Sequence, residues 1–526
     1  MKSIKSRASH LIVEVPVEQL RKFAKTEGMN SLSRETQHFV GICTMHGPLR
    51  VYRGKSYSRW FWTSTVTLSI ILLLFQVSTL LEIYNSRPTV SQVLFLLPEN
   101  GLIFPSVTIC NYNPIRKSYV DNLKNKGYLS QTALDYISQA YAEVEQLYDN
   151  ANVSDLRQGH NAFTRINGAY NFSINEFFED AGFPCEEMLM LCSFGGRYFD
   201  CCKYAKTTLT TLGKCQQLHL SSSSDQWMQR QTEAGIDNGL QIIVDFHSEE
   251  LLGRENGEDQ PYFSNGIEHG FRYFVHEADS IAYLSAEGIS VSPGYRVYSA
   301  ITTNKFLLLE KKNWGGCISK WPEGYETKRP YSASKCKALC RAKYFYDYCK
   351  CSPFIYNIDG AYKVCSPYEI YTYELGHAYT LPKCSECMVE CESWEFHAYN
   401  SYGYGFSNGA VRWLNRRNEN WTSGHIRSNF AIINIYFRDM SYNEYSQVQG
   451  TTLTQMLSDI GGNMGLFLGM SFISCAELII YLFKITWIMI SKKRRQYMVL
   501  KKEKELVRFS TREIEFYKIL PAVNEI

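Results

Sequence analysis

The chain has 526 residues, enough for about three domains at ~150 residues each; 45% are hydrophobic and 20% charged, which excludes a disordered chain. A formal charge of +3 gives no footing for a nucleic-acid partner. Seventeen cysteines, fifteen of them from Cys110 to Cys391, argue against a purely cytosolic life, and two long apolar stretches exclude an ordinary soluble protein.

Residues 1–59 carry 11 Lys/Arg against 4 Asp/Glu. Trp60 to Leu81 then runs 22 residues without a charge, the length of a spanning helix, too deep in the chain for a signal peptide. Short alternating runs follow: 239–246 (GLQIIVDF), Arg272 to Val275 and Tyr295 to Leu309 read as strands, and 14% aromatics suit such a β-rich body. Residues 114–149 read as helical, with Leu123, Leu129, Leu134, Ile137, Tyr141, Val144 and Leu147 at mixed three- and four-residue spacings. Ser221 to Ser224 reads as a loop. A second apolar stretch, about Ile460 to Ile490, contains Glu477 near its middle and Lys484 nearer its end. Lys484 suits snorkelling; Glu477 calls for a partner or a water-filled path. Residues 491–526 carry 10 Lys/Arg against 5 Asp/Glu.

The basic flanks place both termini in the cytoplasm. Residues 82–458 are then extracellular, and the chain between the flanks is net acidic. Sequons at Asn152, Asn171 and Asn420, and all but Cys43 and Cys475 of the cysteines, fall on the outside in this reading. Cys336 and Cys340 are four apart, and Cys384, Cys387 and Cys391 are offset by three and seven, so each set shares one helical face. Two antiparallel helices zipped by Cys340–Cys384 and Cys336–Cys387, with Cys317–Cys391 at the base, satisfy that spacing. Zinc is the rival for Cys384-x-x-Cys387, and extracellular placement favours disulfides. Fifteen outside cysteines cannot all pair.

Specific motifs now join this topology. Thr44-Met45-His46-Gly47 resembles the His-Gly motif of the degenerin/epithelial sodium channel/acid-sensing ion channel superfamily. Phe104 to Asn111 (FPSVTICN) is similar to that family's post-span block, Trp314-Gly315-Gly316-Cys317 to its WGxC element, and Asp459 to Phe467 with Gly469-Met470-Ser471 to its pore and GxS filter. The order is right over nearly the whole chain, and FMRFamide-type peptide-gated sodium channels of invertebrates look closest.

The resemblance implies an α+β membrane protein. Two transmembrane helices (60–81 and 459–490) would flank a disulfide-rich extracellular domain of palm, thumb (about 317–391), finger, knuckle and β-ball. Three copies, identical or related, would form a plasma-membrane channel. It implies a selectivity filter at Gly469, Met470 and Ser471, where small residues expose carbonyls or a hydroxyl to the axis. It implies an outer acidic ring at Asp459 and a lower-pore acid at Glu477, with Ile480 standing where a second acid is expected. His46 and Gly47 would line a re-entrant lower pore. Ser458 would hold the degenerin position, and Trp314 would stack on Tyr84 in gating. It implies Cys110–Cys215, Cys185–Cys192 and Cys351–Cys365, leaving Cys201, Cys202 and Cys349 without assigned partners.

The expected function is a ligand-gated, amiloride-sensitive sodium channel opened by an extracellular neuropeptide. No cofactor is expected beyond the permeant sodium ion, and membrane lipid is the surrounding partner. Glu143, Glu145, Asp149, Glu176, Glu179 and Asp180 form an acidic finger patch suited to an Arg-containing peptide, to proton sensing, or to plain solvation. Proton, mechanical or constitutive opening is the alternative; an adhesion or receptor module is the alternative from another class. No nucleophile elbow, HExxH, P-loop or dinucleotide fingerprint supports an enzyme.

Overall fold

The computed structural model describes residues 32–141, 152–170, 172–252, 268–278, 280–281, 287–325, 330–358, 360, 362–376 and 382–519. The chain divides into two compact units: residues 1–88 with 450–526, and residues 89–449.

The first unit opens with helices α1 (Leu32–Ile42), α2 (Pro48–Arg53) and α3 (Tyr57–Asn85). No residue of α3 is buried within the chain, and the helix is long and apolar enough to cross a membrane. Its hydroxyls are handled locally: Thr63, Thr65 and Thr79 donate to the carbonyls of Arg59, Phe61 and Phe75 at 2.8, 2.9 and 3.0 Å. A hydroxyl that bonds back to its own helix leaves nothing unsatisfied toward lipid.

The second unit is built on sheets. Strands β1 (Thr89–Leu96), β2 (Leu102–Ile103), β3 (Ser106–Asn111), β4 (Leu189–Phe194), β5 (Arg197–Phe199), β6 (Ala205–Thr210) and β7 (Gly213–Leu218) precede β8 (Arg230–Gln231) and β9 (Leu240–Asp245). After them come β10 (Phe271–His276), β11 (Ile289–Val291), β12 (Tyr295–Leu307), β13 (Glu392–Tyr404) and β14 (Phe430–Gln449). A seven-stranded sheet runs β13-β12-β14-β9-β4-β5, with β1 also on β14; a five-stranded sheet runs β11-β10-β3-β7-β6; β2 pairs β8. β12 and β14 are parallel, with a register shift after Ile301. Alternation decides the faces: Val297, Ser299 and Ile301 are buried, and Phe430 to Ile435 and Phe437 are buried continuously because β14 is central there. The three strands expected from sequence are β9, β10 and β12.

Helices α4 (Lys117–Asn125), α5 (Gln131–Ser138), α6 (Val153–Tyr170) and α7 (Ile174–Ala181) form a second core with α8 (Ala333–Cys349) and α9 (Pro367–Gly376). The helical expectation for 114–149 is met by α4 and α5 as far as the described residues reach. Val144, Leu147, Glu143, Glu145 and Asp149 lie outside them.

The cysteine pairing departs from expectation in one place. The structure joins Cys185 to Cys202 and Cys192 to Cys201, with Cα atoms 5.7 and 5.5 Å apart, and not Cys185 to Cys192. Cys192 rides in β4, an extended strand that carries it ~3.3 Å per residue away from the turn bearing Cys185. The vicinal Cys201-Cys202 opens a helical turn capped by Asp200, which accepts from the Cys202 N–H at 3.0 Å; neighbours on a helical turn diverge, so each meets a different partner. Cys110–Cys215, Cys317–Cys391, Cys336–Cys387, Cys340–Cys384 and Cys351–Cys365 are the other bridges. Cys349 is free, and burial pushes its thiol up to about 11.

The ladder joins one helix to an extended segment, not two helices. Cys336 and Cys340 sit on α8, but Cys384 has φ 45° and follows Pro382, which stops a helix. Beyond it the chain runs extended: the Ile318 N–H donates to Val389 O at 3.1 Å and the Leu308 N–H to Cys391 O at 2.8 Å. Every sulfur of Cys384, Cys387 and Cys391 is in a disulfide, so the zinc alternative falls.

Helices α10 (Asn408–Arg417) and α11 (Ser423–Asn429) cover one face of the large sheet. The chain then returns to the first unit as α12 (Leu453–Leu468) and α13 (Phe472–Ile519). The second apolar stretch is therefore two helices with a break at 469–471. Its apolar part of α13 is again long enough to cross a membrane.

Candidate functional site

The break between α12 and α13 is where the chemistry concentrates. α12 starts on a Thr452 cap, whose hydroxyl accepts from the Gln455 N–H at 3.1 Å, and presents Ser458 and Asp459 exposed near its start. It ends at Gly469, in the left-handed conformation at φ 60°. A side chain there is excluded twice over, by the conformation and because a Cβ would lie 2.3 Å from His46 Nδ1. Ser471 then caps α13: its hydroxyl accepts from the Ser474 N–H at 3.3 Å, and Ser474 Oγ accepts from the Ser471 N–H at 3.1 Å, a reciprocal capping box.

The segment before the first spanning helix docks on this break. The His46 N–H donates to Leu468 O at 2.9 Å, satisfying a carbonyl that the end of α12 leaves open. Thr44 Oγ1 and the buried Ser474 Oγ share a 2.5 Å hydrogen bond, and the Thr44 N–H donates to Glu477 Oε2 at 3.3 Å. Phe39 stacks on Tyr481 with centroids 4.1 Å apart, and Lys484 Nζ lies 3.5 Å from Glu35 Oε2. Glu477 thus has a partner, as an ionisable group at membrane depth requires. A break in a spanning helix is tolerated only where protein or a water-filled path meets the freed groups. Here Thr44 and His46 meet them from one side, and Met470 and Ser471 stay partly open.

The other expected residues fall as follows. Gly47 has φ 113° and opens α2. Tyr84 is half-buried in the last turn of α3. Trp314, half-buried at φ 75°, closes the turn Lys311–Asn313. The next residue must be glycine: a Cβ on Gly315 would sit 1.6 Å from Leu309 O, which explains Trp-Gly in structural terms. Asn152 and Asn420 are exposed, and Asn171 lies outside the described residues. Glu176, Glu179 and Asp180 lie exposed on α7 opposite buried Phe177, Phe178 and Ala181, a solvated helix face.

Sequence reading missed two titratable sites in the extracellular unit. Buried Asp245, at the end of β9, has Oδ2 2.7 Å from His425 Nε2 and 3.5 Å from His247 Nε2. His247 Nδ1 lies 2.8 Å from Glu249 Oε1. Burial alone would lower the His247 pKa, but Asp245, Glu249 and the Glu187 carbonyl raise it above its ordinary value. Asn429 Nδ2 faces His425 Nδ1 at 3.1 Å, which leaves the His425 Nε2–H to donate to Asp245. The second is His276 on β10, whose Nε2 lies 2.7 Å from Thr108 Oγ1 and Nδ1 2.7 Å from Glu277 O; burial lowers its pKa to about 4. Only the pairing across strands reveals either site, since the partners lie 180 and 168 residues apart in the chain.

Two helices able to cross a membrane, the second preceded by a break where a polar segment docks, and a disulfide-rich ectodomain define a membrane channel class, not an enzyme. The model of the amiloride-sensitive sodium channel family matches residues 39–481, and the chain belongs to that family of sodium channels. Acid-sensing ion channel 1C of Danio rerio is 25% identical over 461 residues, covering 85% of this chain and 83% of its own. Acid-sensing ion channel 4-B of the same species is 26% identical over 479 residues, with 87% and 77% covered. Acid-sensing ion channel 1 of Gallus gallus is 25% identical over 468 residues, with 85% and 84% covered. A solved proton-activated chloride channel aligns at 10% identity and a TM-score of 0.28, covering 81% of this chain and 96% of its own, too distant to bear on the argument.

Proposed function

We propose that three copies of this chain, alone or with related subunits, form a sodium-selective, amiloride-blocked channel of the plasma membrane with both termini cytoplasmic, opened by an extracellular FMRFamide-like peptide. The permeation half of this reading is carried by one observation: the helix break at Gly469–Ser471 with the His46 segment seated on it. Glycines support the assembly. Among the described residues a Cβ at Gly461, Gly462 or Gly465 would meet nothing within 4 Å, which leaves their smallness free to serve the close approach of neighbouring pore helices. Three Asp459 carboxylates at the outer end would gather cations, each worth roughly 3 kcal/mol at ~5 Å and an effective dielectric of ~20 before desolvation.

The peptide half rests on a net-acidic, aromatic-rich ectodomain, which suits an Arg-containing amidated ligand. A second reading, proton gating, is favoured by the acid-sensing channels among the relatives and by the Asp245–His247–His425 cluster. Voltage clamp of oocytes expressing the chain alone separates them. A sodium current evoked by an RF-amide peptide and blocked by amiloride supports the first reading. Current evoked by acid alone replaces the peptide with the proton. Surface-expressed chain silent to both defeats the homomeric form of both.

A further inference from the structure

The large sheet has a second face, on which α10 and α11 build a small apolar core. Along β12 the side chains alternate: Val297 enters the main core, and Arg296 points the other way, toward the small apolar core that α10 and α11 build on the sheet with Ile243, Phe406, Leu414 and Ile432. A cleft of about 390 Å³ opens there, within the ordinary range for a small-molecule site. Its walls are apolar apart from Ser193, Gln241 and one charge, Arg296. The guanidinium lies 5.5 Å from the centre of the Phe406 ring, and its Nε is buried with no hydrogen-bond acceptor. Among the described residues no carboxylate pairs with it, and none lines the cleft. At the rim a second guanidinium, Arg417, stacks over Trp413 at 4.4 Å and Tyr198 at 4.8 Å.

A guanidinium beside an apolar core is costly unless an anion answers it. Dispensing with charge at 296 would be the simpler solution for stability alone, since an apolar residue would complete the face. We infer that this cleft is a binding site for a small soluble molecule with an apolar body and a carboxylate. The body would lie between Trp413 and the Ile243–Ile432 floor, and the carboxylate would take the two-pronged pairing that arginine offers. Arg417 would add long-range attraction at the mouth. This site is independent of the peptide reading and of the pore.

The test uses the full-length channel in lipid nanodiscs, with empty nanodiscs as the partition control, and equilibrium binding of 2-naphthoate against uncharged 2-naphthol. The expected result is naphthoate binding that naphthol does not match. Arg296→Gln should weaken naphthoate by on the order of tenfold or more while leaving naphthol unchanged, and Arg296→Lys should recover part of the loss. Ala410→Leu, which keeps Arg296 but narrows the cleft, should weaken both, so the site stays testable if the glutamine variant fails to fold. Equal binding of the two probes, undiminished naphthoate binding in Arg296→Gln or Ala410→Leu, or naphthoate retained only by empty nanodiscs overturns the proposal. So does loss of the channel's oligomeric state on Arg296→Gln, because the missing anion would then belong to a neighbouring subunit.

Discussion

The disulfide ladder and the break between α12 and α13 make opposite use of covalent and polar links. In the first, one helix and one extended segment are bolted together by Cys336–Cys387 and Cys340–Cys384, with Cys317–Cys391 below; the Tyr331 hydroxyl donates to Met388 O, and the Ala333 N–H donates to Glu390 at 2.6 Å. In the second there is no covalent link: Cys43 and Cys475 are free thiols, and the segment is held by the His46–Leu468, Thr44–Ser474 and Thr44–Glu477 hydrogen bonds. Disulfides remove states from the unfolded chain and fix one geometry. A few hydrogen bonds at ~1 kcal/mol each can be exchanged for water during a conformational step. The difference teaches where each unit is built to hold and where it can change.

The sharpest way to break this contrast is at Gly469. Gly469→Ala should cut the sodium current by on the order of tenfold at equal surface density, because its Cβ collides with the His46 ring and the left-handed conformation costs ~1–2 kcal/mol for an L-residue. Adding His46→Ala removes the collision and should restore part of the current. No recovery in the double variant would mean that Gly469 matters for conformation alone.

The ladder comes next. Closing its 44-residue span as a lone link is worth about 4 kcal/mol, and one rung less than that, roughly 2–3 kcal/mol, while the Cys336–Cys387 rung remains. Cys340→Ser with Cys384→Ser should therefore lower the unfolding midpoint of the purified channel without abolishing folding. An unchanged midpoint would show that the outer rungs already hold the segment in place.

Acid probes a third, smaller effect. His276 is buried and neutral, with its folded pKa depressed to about 4 from 6.5. Folding excludes the proton, so the stability is fully present above 6.5 and is lost as pH falls from 6.5 toward 4. His219 and Lys335 face the ring and oppose its charging as well. His276→Gln should flatten the melting temperature over that range. A wild-type slope retained in the variant would assign acid sensitivity elsewhere.

Much of this was legible in the sequence, because periodicity and composition are local. The charge-free run from Trp60 to Leu81, the strands at β9, β10 and β12, and the family motif from Asp459 to Ser471 all announce themselves over consecutive residues. The four- and three-residue offsets of Cys336–Cys340 and Cys384–Cys387 were enough to pair those rungs, but not to say that the second set lies on an extended segment. That depended on Pro382, the left-handed Cys384 and strand-like pairing with residues 308–318. The Cys185–Cys192 pairing was implied by the resemblance alone, and the direction of β4 overturns it by sending each of the two cysteines to a different member of the vicinal pair. The break at Gly469 is visible as small residues, but its partner, Thr44 to His46, comes from more than 420 residues earlier in the chain. The Asp245 cluster is the extreme case: a carboxylate at a strand end and a histidine on α11 become neighbours only through β9–β14 pairing.

That cluster supplies the smallest expected effect, and it runs opposite to His276. His247 titrates above its ordinary 6.5 because Asp245 and Glu249 outweigh its burial, with His425 the other titratable ring facing Asp245. A base whose folded pKa is raised stabilises the fold fully below 6.5 and loses that contribution as pH climbs through the higher folded value. Glu249, whose pKa is lowered by its backbone bond and by His247 against the effect of burial, stays ionised through this window and keeps the pair intact. His247→Gln should therefore lower the melting temperature below pH 6.5 and leave it nearly unchanged in alkali. In the His276→Gln background, acid should then stabilise the channel, because only the Asp245–His247 side of the balance remains. Acid destabilisation persisting in that background would place the dominant titration outside both histidines.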